Sequence, residues 1–259
     1  MTIDDGYKSF LTNGFPILKK HGVNATLFIN TKDIGSGDYM SWDDIKMLAE
    51  EGIEIGNHTE THQYFLNLCA ENRYVIFKKE LVNGQQLIQE KIGITPKVFA
   101  YPFGEYDIKM KAIVEEVGFT AAFGQNSGVI HTSTDPYRMP RFPMSDAFAS
   151  LSSFKLKSKM KPFVLLDESP TNLFLQREES QPLLRLRFDQ SNLNLDQIQC
   201  FVQGGECDLN FTVDNNLATL TVQSKAPLHA RRTLYTITVP DKSGKWHWFS
   251  HLWIKAEFK

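Results

Sequence analysis

Two hydrophobic rhythms divide this chain. From residue 1 to about residue 155, short apolar runs alternate with amphipathic stretches of helical period. Phe15 to Gly22 reads as a helix with a glycine stop, and Ala25 to Ile29 follows as a buried strand. Ser41-Trp42-Asp43-Asp44 carries the start signal of a second helix, a side-chain cap answered three residues later by a carboxylate. Ile53 to Ile55 is the next strand. A long helix is predicted from about Asn72 to Gly93, a strand at Val98 to Tyr101, a helix at Ile108 to Val117 and a strand at Ala121 to Phe123. Strand and helix alternating in this order predict parallel strands joined by crossover helices, with chemistry gathered at the strand C-terminal ends.

Past about Pro162 the period drops to two. Leu183 to Phe188, Gln199 to Val202, Leu209 to Val213, Leu217 to Val222 and Thr233 to Val239 alternate apolar and polar residues. Asp214-Asn215-Asn216 and the segment Pro240 to Gly244 are turn signals, and Trp246 to Phe249 and Leu252 to Ile254 close the chain. This half predicts a β-sandwich. The expected division is therefore an α/β region over residues 1–160 and a β-sandwich accessory domain over 161–259. Trp246, Trp248, Phe249 and Trp253 read first as sandwich core, and second as a sugar-stacking face.

Composition narrows the partners. The 259 residues hold 42% hydrophobic and 22% charged side chains, an ordinary globular balance. A net charge of −2 offers no electrostatic case for nucleic acid or an anionic membrane. No apolar run reaches the roughly 18–20 residues of a membrane span. Cys69 falls in a helical stretch and reads as a small buried hydrophobe, while Cys200 and Cys207 bracket a glycine-containing turn. That pair reads equally as a disulfide, suited to an oxidising compartment, or as two free thiols.

The chemistry lies in two short motifs. Thr2-Ile3-Asp4-Asp5-Gly6 offers adjacent carboxylates, and His58-Thr59-Glu60-Thr61-His62 offers two imidazoles four residues apart. Alone, the first is more often a polar turn and the second a weak metal signal. At successive strand ends they combine into three ligands and a spare carboxylate that can take a proton. The imidazoles are expected to converge because a loop turning into a helix stacks residues i and i+4. Such a set suits Zn2+, with Co2+ and Ni2+ accepting the same ligands.

With these motifs in hand, the first 145 or so residues resemble the NodB-homology polysaccharide deacetylases, carbohydrate esterase family four. The family's Thr-Phe-Asp-Asp-Gly corresponds to Thr2 to Gly6, its His-Ser/Thr-x-x-His to His58 to His62, and its Arg-x-Pro-Tyr-Gly to Ala100-Tyr101-Pro102-Phe103-Gly104. The resemblance implies a (β/α) barrel in which Asp4 is the general base and Asp5, His58 and His62 hold the metal. It also implies an oxyanion contact from a backbone N–H of the third motif, assigned to Tyr101. Trp42, Pro102, Phe103 and Tyr101 are expected along a sugar groove, or packed in the barrel. Ala100 stands where many members carry an arginine that orients the catalytic aspartate. Arg141 is the candidate substitute, or simply a surface arginine beside a proline turn.

No copy of the family's acid motif, Leu-x-His, follows residue 145, and His131 and His229 are poor stand-ins. The Asp-Asp-Gly-Tyr-Lys-Ser run is most similar to the subgroup acting on poly-β-1,6-N-acetylglucosamine, whose barrel is permuted with the acid histidine upstream. The expectation is then a barrel incomplete at its N-terminus. The implied activity is metal-dependent N-deacetylation of an aminosugar polysaccharide, in a periplasmic or secreted setting. An O-acetyl (xylan-type) esterase and a catalytically incomplete carbohydrate-binding homologue are its rivals.

Overall fold

A computed structural model describes residues 1–145, 148–175 and 178–257. It separates into two compact units. One comprises residues 1–124 with 136–138, and the other residues 125–135 with 139 onward.

The first unit is a partial (β/α) barrel. Its five strands are β1 (Thr2–Asp5), β2 (Thr26–Ile29), β3 (Glu54–Asn57), β4 (Val98–Ala100) and β5 (Ala121–Phe123), all parallel and side by side in chain order. Each step between neighbours is made by a helix: α1 (Phe15–His21), α2 (Trp42–Glu50), α3 (Ala70–Ile92) and α4 (Ile108–Glu116). Their ends follow local chemistry. Gly22 closes α1 at φ 62, Gly93 closes α3 at φ 76, and Ser41 and Asp44 form the reciprocal cap of α2. Asp107 caps α4 by accepting from the Met110 N–H at 2.8 Å.

Leu27, Ile29 and Ile55 from the sheet meet Ile45 and Leu48 of α2 and Ile88 of α3 in one core. Phe77, Phe99 and Phe119 form a second apolar layer under α3 and α4. Side chains of this size contribute about 1.5–3 kcal/mol each when fully buried. They make the sheet a rigid base for the loops at its C-terminal edge.

The second unit holds two four-stranded sheets. One runs β10-β11-β8-β7 (Cys207–Asp214, Leu217–Ser224, Leu183–Asp189, Asp167–Ser169), and the other β6-β13-β12-β9 (Lys161–Pro162, Trp246–Ile254, Arg232–Pro240, Gln199–Val202). Alternation is strict in β8, where Leu184, Leu186 and Phe188 are buried between exposed neighbours. These three join Leu220 and Val222 of the same sheet and Tyr235, Ile237, Val239 and Trp253 of the other in one core. The two apolar runs predicted at the end of the chain are a single strand, because the polar Ser250 and His251 between them are buried within β13. Trp253 is in the core, while Trp246 and Trp248 are half-buried. Residues 139–160, including α5 (Leu151–Lys157), group with this unit.

Cys200 and Cys207 form a disulfide, with Sγ atoms 2.04 Å apart. Cys69 departs from expectation. It occupies the N-cap of α3 and is exposed, since the helix begins one residue after it rather than enclosing it.

Candidate metal centre

Three loops at the C-terminal ends of β1, β3 and β4 build the site. Among the described residues, five non-glycine residues have positive φ, and four of them lie in these loops: Asp5 (75°), Thr59 (70°), His62 (51°) and Phe103 (58°). Left-handed backbone is uncommon outside glycine, so local strain is concentrated where the chemistry-bearing side chains sit. At Asp5 the left-handed turn ends β1, and Gly6 continues it at φ 93 with its N–H on the Asp4 carbonyl at 3.0 Å.

Asp5, His58 and His62 come together. The Nε2 atoms of the two imidazoles are 3.1 Å apart, and Asp5 Oδ1 lies 3.6 Å from His58 Nε2 and 3.5 Å from His62 Nε2. Ligand atoms about 2.0–2.1 Å from a tetrahedral zinc stand roughly 3.3 Å from one another, so these spacings match such a set. The tautomer agrees. His58 is buried, and its Nδ1 lies 2.7 Å from the Ala100 carbonyl oxygen. A carbonyl only accepts, so Nδ1 carries the proton and the Nε2 lone pair faces inward. The donor set fits a divalent metal ion with zinc-like preferences.

Second contacts hold these groups. Asn57, at the end of β3, accepts from the Thr59 N–H at 2.7 Å and donates to the Leu81 carbonyl at 2.9 Å. Thr59 Oγ1 accepts from the His62 N–H at 3.1 Å. The Phe103 ring meets His62 edge-on with centroids 4.5 Å apart, and Tyr64 lies flat on Phe103 at 3.7 Å. One face of Phe103 is thus covered, and Tyr64, itself exposed, forms the outer layer of the stack.

Of the other residues singled out from sequence, Asp4 is half-buried in β1, paired in register with Phe28. Pro102 is buried, and Trp42 packs partly against the α2 core. Tyr101 requires a correction. It is fully buried, its N–H donates to the Phe123 carbonyl at 3.0 Å, and its hydroxyl donates to the Tyr137 carbonyl at 3.0 Å. Its N–H is taken up by pairing beyond the end of β4, so the oxyanion contact expected of it has no free donor. Gly104 N–H is likewise engaged, by the Tyr101 carbonyl at 2.8 Å, and Pro102 has no N–H. Phe103 carries the loop's other backbone N–H. Arg141, His131 and His229 all belong to the second unit. There Arg141 N–H donates to the Asn126 carbonyl at 3.0 Å. His131 Nδ1 lies 3.0 Å from the Ser133 hydroxyl, and burial lowers the imidazole pKa.

Comparison with known proteins identifies the domain at the start of the chain. A polysaccharide deacetylase family model matches residues 1–122. Residues 1–122 are a polysaccharide deacetylase domain. The deacetylase domain has distant relatives. YxkH of Bacillus subtilis (strain 168), named only provisionally as a polysaccharide deacetylase, is 26% identical over 145 residues, 56% of this chain and 50% of that protein. The poly-β-1,6-N-acetyl-D-glucosamine N-deacetylase of Staphylococcus aureus (strain MSSA476) is 24% identical over 159 residues, 56% of this chain and 54% of the relative. The chain thus spans about half the length of the curated relatives it matches. The solved structure of IcaB from Ammonifex degensii superposes with a TM-score of 0.53 at 25% identity, covering 57% of this chain and 67% of that one. Among the described residues, no helix is long and apolar enough to cross a membrane.

The sequence reading missed three contributors: Glu80, Asn57 and Tyr64. Glu80 and Asn57 act through hydrogen bonds to the loop between the histidines. Only a three-dimensional arrangement exposes that role. The aromatic at Tyr64, two residues past His62, was the one signal available in sequence.

Proposed function

We propose that this protein is a metal-dependent polysaccharide deacetylase that removes N-acetyl groups from an aminosugar polymer of the poly-N-acetylglucosamine, chitin or peptidoglycan type. One observation carries the reading. A carboxylate and two imidazoles converge at tetrahedral spacing, with the His58 lone pair turned inward by the Ala100 carbonyl. The similarity to a poly-β-1,6-N-acetyl-D-glucosamine N-deacetylase supports the substrate class. The disulfide supports a periplasmic or secreted setting.

Asp5, His58 and His62 would hold the ion. When bound, a divalent metal supplies Lewis acidity that makes water a nucleophile at neutral pH and polarises the acetyl carbonyl. Asp4 accepts the proton that water loses on attack. The Phe103 N–H donates to the developing oxyanion, a contact worth about 2.7–4 kcal/mol in comparable sites. Tyr64, stacked on Phe103 and exposed, is the proposed aromatic contact for a pyranose ring. The division proposed for these roles is a deacetylase part within residues 1–160 and an accessory β-sandwich over residues 161–259.

The test is acetate release from N-acetylglucosamine oligomers with and without chelator, beside acetylxylan. Chelator-sensitive release from the oligomers is expected. Release from acetylxylan alone, or release indifferent to chelator, would overturn the proposal.

A further inference from the structure

The two imidazoles lie four residues apart, yet no helix joins them. Residues 58–62 contain no helical turn, and Thr59 and His62 are left-handed. Helical periodicity, the expected source of their convergence, is absent, so other contacts must set the distance between the rings. Asn57 and Thr59 brace the segment locally. Reaching it from another element is Glu80, buried in the middle of α3.

Both oxygens of that carboxylate face the loop. Oε2 accepts from the Glu60 N–H at 3.1 Å and the Thr61 N–H at 2.8 Å. Oε1 accepts from the Thr61 hydroxyl at 2.7 Å and the Gln63 amide at 3.0 Å. Four donors meet one carboxylate, all from residues between or next to the two histidines. Bonds to an ionised acceptor are stronger than neutral ones, and a buried carboxylate is tolerated only when its lone pairs are met. The rest of the helix face is fitted to the same loop. Asn83 donates to the Glu60 carboxylate at 2.8 Å, and a Cβ at Gly84 would stand 3.2 Å from the Asn57 side chain and 3.4 Å from Thr59.

We infer that Glu80 is a positioning residue for the metal ligands: its carboxylate holds residues 60–63 and thereby the separation and aim of the His58 and His62 imidazoles. The inference rests on the metal reading above. Groups that orient ligands from behind typically change metal affinity about 10–100-fold when removed. A purely structural strut would change the melting temperature and leave affinity alone.

Zinc affinity of the full chain, measured by competition with a chromophoric chelator, separates these roles. Glu80→Ala is expected to bind zinc at least about 10-fold more weakly. Glu80→Gln, which keeps one acceptor oxygen for the two backbone N–H groups, is expected to recover most of that loss. If Glu80→Ala does not fold, Glu80→Asp carries the test, because a carboxylate one methylene shorter cannot reach all four donors. Wild-type zinc affinity in a folded Ala or Asp variant overturns the inference even if its melting temperature falls. If the wild-type chain binds no zinc, the metal reading fails first and the inference falls with it. Wild-type binding that is lost in His58→Ala but untouched in the Glu80 variants sinks the inference alone.

Discussion

The two units solve the same problem, burial of a sheet, in opposite ways. In the strand-rich unit, alternation does almost everything. Leu184, Leu186 and Phe188 point in, their neighbours point out, and the described left-handed non-glycine residue there, Asn215, sits in a turn between β10 and β11. In the parallel unit the strands are short, β2 and β3 are buried over most of their length, and the backbone leaves ordinary conformations at the loops that follow β1, β3 and β4. Parallel strands joined by crossover helices leave the loops at their C-terminal ends as the place where polar side chains can gather. Regular alternation builds stability, while interruption of regular backbone builds a site.

The largest predicted effect tests whether chemistry belongs to the interrupted region alone. Asp4→Asn is expected to lower acetate release about 10²–10⁴-fold while zinc remains bound. Loss of zinc in that variant would show that the roles of Asp4 and Asp5 are exchanged. Leu186→Ala, from the alternating core, is expected to cost about 2–5 kcal/mol in denaturant unfolding. Zinc affinity should be unchanged wherever that variant is still folded. A parallel fall in affinity would mean that the two regions are one cooperative body and the contrast is false.

Legibility followed the same contrast. Helix ends marked by Gly22, Gly93 and the Ser41–Asp44 pair, and strands marked by alternation, were readable because each depends on neighbours in sequence. The convergence of Asp5, His58 and His62 was readable because these residues carry distinctive chemistry. Three features were not. Nothing local tells that the Tyr101 N–H pairs with Phe123, 22 residues on, or that Glu80 is the partner of Thr61. The continuity of β13 through Ser250 was hidden because its polar residues find partners inside the unit, the Thr236 hydroxyl among them at 3.1 Å.

Smaller effects sharpen the comparison. Reduction of the Cys200–Cys207 bridge is expected to lower the stability of the strand-rich unit by about 2–3 kcal/mol, read by melting with and without reductant. Zinc affinity of the parallel unit should not respond. Tyr101→Phe removes one hydrogen bond to a backbone carbonyl and is expected to cost about 1 kcal/mol. Its acetate release should match wild type; a large kinetic loss would return Tyr101 to the chemistry.

Smallest is a pH effect at the β12–β13 turn. Hydrogen bonds from the Ser243 hydroxyl and from the Lys245 and Ser243 N–H groups hold the Asp241 carboxyl well below its ordinary 3.8. A depressed folded-state pKa contributes stability that is full above the unfolded value and is lost as pH falls through the folded one. Urea unfolding should therefore show the Asp241→Asn variant converging on wild type as pH drops below about 4. A gap that widened on acidification would contradict the assignment.

The hydrogen bond from His58 to the Ala100 carbonyl spans 42 residues, and Asp5 lies more than 50 residues before its imidazole partners. Neither distance is closed until β1, β3 and β4 stand side by side. An ion arriving at a nascent chain would find one local pair of imidazoles with no carboxylate beside them and no fixed tautomer. On the metal reading proposed above, an ion would meet its complete ligand set only once those three strands have come together, and a chelator is expected to empty the centre without erasing the scaffold that built it.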